Sequence, residues 1–188
     1  TGARVCEIGI NLSADIDGLC ALMAELDLRS ASPASREDLL RVHPAAYLDD
    51  FKRLSDAGGG ELGLRTPFAA AGLSLAAVEA VAKGDLDNAY ALSRPPGHHA
   101  LPDFPNGFCL LANIAIAIEA AKAKGLVRRV VVLDWDVHHG NGTEAIFYDR
   151  DDVLTISLHQ EGNYPLDTGA LADRGNGAGE GYNINLPM

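Results

Sequence analysis

At 188 residues with 47% hydrophobic content, the chain has the size of one ordinary domain and enough apolar material for a single sizeable core. Its 26 acidic residues against 15 basic ones give a formal charge of −11, a field that argues against direct nucleic-acid binding and mildly favours cationic substrates. Cys6, Cys20 and Cys109 are odd in number and lack paired or metal-ligand spacing, which argues against a disulfide framework or a thiolate zinc cluster and suits a reducing, cytoplasmic setting in which they are simply buried.

Residues 1–32 could hold a strand and a helix, with no boundary that the pattern defines. Ser35 followed by Asp38 forms a capping box that opens a short helix, which should end before the His43-Pro44 step. Pro44 can begin the next helix, where Tyr47, Leu48, Phe51 and Leu54 recur at helical spacing until Gly58, Gly59 and Gly60 end the pattern. An alanine-rich helix is expected from about Phe68 to Lys83, stopped by Gly84 in a left-handed cap. A short strand near Ala89 to Leu92 and a long polar loop follow. Next come a helix from about Phe108 to Lys124 closed by Gly125, a buried-type strand Val130 to Leu133, and another helix. Two more strands, Val153 to Leu158 and Tyr182 to Leu186, flank a loop rich in Gly, Asn and Asp.

The alternation of strands and helices implies an α/β fold in three layers: a mostly parallel sheet with helices on both faces, and ligands gathering beyond the carboxyl ends of the strands. The longest apolar stretch, Phe108 to Ala121, is broken by Asn113 and Glu119, so no membrane span is readable, nor is a leader. No internal repeat or domain boundary appears.

Four of the six histidines form two adjacent pairs, His98-His99 and His138-His139, each after an expected strand. If the backbone stays extended past Leu133, Asp134, Asp136 and His138 share one side and Trp135, Val137 and His139 the other. A carboxylate and a neutral imidazole suit zinc, but a catalytic zinc usually takes three protein ligands and keeps a fourth position open. No later residue supplies the third: Asp167, Asp173 and Glu180 lie in a Gly-rich loop without distinguishing context. Any one of these residues could be a loop anchor. Jointly they are hard to obtain from packing, because each is costly to bury unpaired.

A rival pattern is Gly140-Asn141-Gly142-Thr143-Glu144-Ala145, which matches the dinucleotide fingerprint, with Glu161 near the distance of its ribose-binding acid. There the glycines should follow the strand immediately. Here two carboxylates and two histidines intervene and would set negative charge near a pyrophosphate. A dinucleotide-dependent oxidoreductase is therefore the weakest of the readings.

The segments Arg94-Pro95-Pro96-Gly97-His98-His99-Ala100 and Asp134-Trp135-Asp136-Val137-His138-His139-Gly140-Asn141 resemble the signature of the histone deacetylase superfamily, in its class II and bacterial form. Asn106-Gly107-Phe108-Cys109, Thr155 to Gln160 and Gly181 to Pro187 extend the resemblance from about Ser35 to Met188. It implies an arginase/deacetylase-like fold and zinc-dependent hydrolysis of an acyl amide, on an acetylated lysine peptide, an acetylpolyamine or a small amide. By that resemblance Asp136 and His138 are two zinc ligands and His98 and His99 the catalytic pair. Asp134 stands with His98. Asn141 stands behind His99 where class I members usually have Asp, which leaves a less basic His99. Gly107, Phe108 and Tyr164 would line the acyl-lysine channel, a role often given to two phenylalanines. A potassium ion is implied at Asp134, Asp136, His138, Ser157 and Leu158, and another near Phe147 and Tyr182.

In the implied mechanism His99 takes a proton from water while charged His98 steadies developing negative charge. A two-manganese, arginase-like site would want a carboxylate at 140, where Gly140 argues for one metal. The resemblance sets the third ligand and an oxyanion-binding tyrosine beyond Met188. Residues 1–188 are thus expected to be the N-terminal portion of one longer deacetylase domain, incomplete at its C-terminus. The alternative is a catalytically incomplete module that binds acyl-lysine or metal. Oligomeric state is not readable.

Overall fold

A computed structural model describes residues 4–7, 27, 29–57 and 65–188. In chain order the elements are β1 (Arg4–Glu7), α1 (Arg36–Leu39), α2 (Ala45–Asp56), α3 (Arg65–Lys83), β2 (Asn88–Ala91), α4 (Asn113–Ala123), β3 (Val130–Asp134), α5 (Asn141–Phe147), β4 (Val153–His159) and β5 (Asn183–Pro187). The helix expected within residues 1–32, the glycines at 58–60, Cys20 and the side chain of Cys6 lie outside the described residues.

Local signals account for most boundaries. Ser35 caps α1, its hydroxyl accepting from the Asp38 backbone N–H at 3.1 Å. Gly84 and Gly125, at φ +80° and +68°, close α3 and α4 in the left-handed region. On α2, Leu48 is buried, whereas Leu54 of the same expected row is 55% exposed.

The helix expected from Phe108 starts instead at Asn113. Residues 106–109 form a two-residue turn, Asn106 and Cys109 exchanging backbone hydrogen bonds of 3.1 and 2.7 Å. Both central residues have positive φ, +51° at Gly107 and +65° at Phe108. An apolar run looks alike in a turn and in a helix start; the tertiary contact of Gly107 with His99 decides between them.

All strand pairs are parallel, as an α/β alternation requires. Among the described residues they form two sheets, β1-β2 and β3-β4-β5. The core lies between α4, β3, β4 and α5, where Ala112, Ala115, Ile118, Val132, Phe147 and Val153 pack together. A second cluster joins Leu39, Leu48, Ala71, Leu111 and Ile116. On β4 the alternate residues Val153, Thr155, Ser157 and His159 are buried, on the side of the sheet that also carries Val132, Asn183 and Asn185. Across the sheet, Val131, Leu133 and Leu186 are 62%, 51% and 40% exposed. Among the described residues only the first face is covered.

No described helix is long and apolar enough to cross a membrane.

Candidate active site

The loops after β2 and β3 bring His98, His99 and His138 to one place, while His139 turns into the interior. The rings of His98 and His99 lie 3.9 Å apart, and His138 stands 6.0 Å from His99. Residues separated by some forty positions thus share one rim of the sheets.

The two neighbouring imidazoles have unlike partners. His98 Nδ1 meets Asp134 Oδ2 at 2.8 Å, while His99 Nδ1 meets the amide oxygen of Asn141 at 2.9 Å. The amide oxygen of Asn141 can only accept, so Nδ1 of His99 carries the proton and its Nε2 is left for chemistry. Burial, followed by the charge of His98, pushes His99 down to about 4, against the opposing pull of Asn141. His99 is therefore neutral and able to accept a proton on Nε2, whereas His98 rests on the side chain of Asp134.

Close packing fixes this pair. A methyl group on Gly107 would lie 2.2 Å from Cδ2 of His99, and one on Gly140 would lie 2.3 Å from Oδ2 of Asp134. Only glycine permits these approaches.

β3 ends at Asp134, and the chain then bends at residues 136–138, with the Val137 carbonyl still accepting from the Gln160 N–H beyond β4 at 2.9 Å. The Asp136 N–H donates to Asp134 Oδ1 at 3.0 Å, and the His138 N–H donates to Asp136 Oδ1 at 2.8 Å. These bonds hold Asp136 and His138 together, with Oδ1 and Nδ1 3.0 Å apart. That separation is close to the roughly 3.3 Å edge of a tetrahedron with zinc–ligand bonds of about 2.0 Å. Burial pulls the Asp136 carboxyl upward, but the His138 N–H, the charge of His98 and the His138 ring outweigh it and hold it below its usual range. An ionised oxygen and an imidazole nitrogen, both partly exposed, fit a zinc ion. No group of three His, Cys, Asp or Glu side chains placed to hold a metal occurs among the described residues.

Ser157 faces Asp134 in the β3-β4 register and accepts from the Gly140 N–H at 3.4 Å. Leu158 follows it on the same strand. Phe108 is 92% exposed at the tip of its turn, and Tyr164 sets its ring edge against His99, 5.2 Å between centroids and 88° between planes. Tyr164 thus flanks the histidines directly, while the turn of Phe108 meets His99 through Gly107.

A buried polar layer beneath the site is missing from the sequence reading. His139 lies 3.0 Å from Thr168 Oγ1 and 3.3 Å from Glu144 Oε2, and Glu144 Oε2 also accepts from Asn183 and Asn185 at 2.6 and 2.7 Å. His159 bridges Ser157 and the Gly169 carbonyl at 2.9 and 3.0 Å. The one sequence signal for this layer is the Asn183-x-Asn185 alternation, which puts two amides on one face of a strand.

Comparison with known proteins bears on the family and the fold. The family model described as the histone deacetylase domain matches residues 9–188, beginning well before Ser35. A histone deacetylase-like amidohydrolase of Pseudomonas aeruginosa is 60% identical over 183 residues, covering 93% of this chain and 47% of that protein. Acetylpolyamine amidohydrolase 1 of the same organism is 40% identical over 198 residues, covering 81% and 57%. Among solved structures, an HDAC homolog from Aquifex aeolicus superposes with TM-score 0.78 at 31% identity, over 89% of this chain and 50% of the other. An HDAC homolog complexed with SAHA gives 0.77 at 30% identity over the same shares. The chain spans about half the length of these relatives.

Proposed function

The chain belongs to the histone deacetylase family, matched over residues 9–188, and on that premise we propose that it is the N-terminal portion of a zinc-dependent deacetylase that hydrolyses the acyl amide of a lysine, a polyamine or a related amine. The observation that carries this reading is the pair of adjacent imidazoles with unlike partners, one on a carboxylate and one on an amide, facing the Asp136–His138 donors. Relatives named as a deacetylase-like amidohydrolase and an acetylpolyamine amidohydrolase support the reaction class. Half-coverage of those relatives supports the reading as part of a longer domain.

Asp136 and His138 would hold the zinc, which when bound supplies Lewis-acid polarisation of the acyl carbonyl and of water. His99, kept neutral by burial, accepts the proton that water gives up. His98, paired with Asp134, carries positive charge beside the oxygen where negative charge develops, and the proton held on His99 passes to the leaving amine. Phe108 and Tyr164 wall the alkyl stem. A potassium ion at Asp134, Ser157 and Leu158 belongs to the same reading, as does a cytoplasmic location, supported by the unpaired spacing of the cysteines.

One observation favours a second reading: among the described residues two metal-donor side chains converge, not three. A module that binds metal or acyl-lysine without turnover would have this composition. Metal analysis and an acetyl-lysine assay on the protein of the complete gene separate the two. The enzyme binds about one zinc per chain and loses activity on chelation; zinc bound without turnover establishes the module.

A further inference from the structure

Two loops from different parts of the chain meet over His99. The first is the tight turn at residues 106–109, anchored by fully buried Cys109 and pressed on the His99 ring through Gly107. The second follows β4. It is tied down by Gln160 N–H to the Val137 carbonyl at 2.9 Å, by Asn163 Nδ2 to Gln160 Oε1 at 2.8 Å, and by Thr168 Oγ1 to the Pro165 carbonyl at 2.8 Å. Tyr164 reaches from this second loop to the first: its backbone N–H is held by Asn163 Oδ1 at 2.7 Å, its ring edge rests on His99 and His138, and its hydroxyl donates to Asn106 Oδ1.

We propose that the Tyr164 hydroxyl and the Asn106 amide form a latch that ties the two channel loops together and pins the Tyr164 ring as a fixed wall, selecting slender, unbranched amine stems. A phenylalanine ring at 164 would lack the oxygen and could swing away from the turn. Pinned at its hydroxyl, its edge and its backbone, the tyrosine cannot. The ordering of that wall is then complete before substrate arrives, which raises affinity for a stem that fits. A stem branched next to the amide nitrogen needs the wall to move and is rejected. Phe108, held at positive φ on the tip of the same turn, depends on the latch for its position as well. Asn106 is a positioning residue in this scheme, acting through Tyr164.

The selectivity of the latch rests on the hydrolase reading; its existence does not. The experiment uses the protein of the complete gene with Asn106→Ala, Tyr164→Phe, the double variant, and Asn106→Asp, which keeps the acceptor. Hydrogen exchange is followed in residues 104–110 and 160–168, together with KM and kcat for an acetyl-lysine peptide and for an acetamide of an α-branched amine. Each single variant should raise exchange in both loops and raise the peptide KM about three- to tenfold, the scale of one hydrogen bond, by more than it lowers kcat. Preference for the unbranched substrate should fall by a similar factor. The double variant should be no worse than either single, and Asn106→Asp should restore wild-type behaviour. Exchange that rises only in the mutated loop, or losses that multiply in the double variant, would overturn the latch. A wild-type protein without zinc or turnover would sink the hydrolase reading instead, while the exchange coupling still decides the latch.

Discussion

The amide oxygen of Asn141 lies 2.9 Å from Nδ1 of His99, so the imidazole assigned as the base leans on a neutral group. Burial, helped by the charge of His98, already holds His99 at about 4. Asn141→Asp would put an anion at the same contact and raise the basicity of His99, by about one pH unit or more. The sign follows from the base working in its neutral form: a higher pKa leaves more of it protonated in mild acid. The acid limb of the kcat/KM profile should therefore move to higher pH, with activity lost at pH 5 to 6. An acid limb that stays in place would remove His99 from the role of base.

Asp136 and His138 are the next test, because their oxygen and nitrogen stand 3.0 Å apart just beyond the end of β3. In the protein of the complete gene, Asp136→Ala or His138→Ala should weaken zinc retention by more than the roughly 10- to 100-fold typical of losing an outer-shell partner. His99→Ala should keep the metal and lose most turnover. Zinc content after dialysis, measured by atomic emission, gives the result; undiminished metal in the first two variants would reject them as ligands.

The parts of this architecture set by short-range chemistry were legible in the sequence. The Val130 to Val132 run, the Ser35 cap and the glycines at 84 and 125 act within a few residues, and the structure forms its elements there. The paired histidines also stood out, since strand ends of a parallel sheet share a rim. What escaped depends on partners far along the chain. The 106–109 turn needs the ring of His99 against Gly107. Glu144 needs amides 39 and 41 residues away, Asn183 and Asn185. Periodicity cannot report either contact, because both arise only after the strands have paired.

His43 is another residue of that kind, and it gives a prediction independent of any metal. It is 1% exposed, donates from Nδ1 to the Pro102 carbonyl at 2.7 Å, and accepts the Ala112 N–H on Nε2 at 3.0 Å. Both nitrogens are committed, and burial lowers its pKa despite the Pro102 bond. Unfolded, the same histidine takes up a proton near pH 6.5. Below that value the unfolded chain binds a proton that the native one resists. Stability should therefore be complete above about pH 6.5 and decline as pH falls toward the lowered native value, by up to about 1.4 kcal/mol per pH unit. Comparing the pH dependence of Tm in wild type and His43→Gln checks this; equal slopes between pH 5 and 6.5 would refute it.

The face of the β3-β4-β5 sheet that stays open among the described residues carries the last prediction. The register aligns Val131 with Leu154, Leu133 with Ile156 and Ile184, and Leu158 with Leu186, so one apolar row after another lies on that side. Parallel sheets are ordinarily covered on both faces, and an apolar surface left open drives association. Residues 1–188 produced alone should associate in a concentration-dependent way in sedimentation and bind an anilinonaphthalene dye. The pair Val131→Lys and Leu133→Lys should reduce both effects. If the protein of the complete gene is the longer domain proposed above, the same lysines would there be forced under whatever covers the sheet. There they should cost more than about 2 kcal/mol of stability, the scale of burying charge without a partner. If they solubilise the short chain and leave the longer one as stable as before, the face is open in both, and the proposal that residues 1–188 form one part of a single larger domain fails.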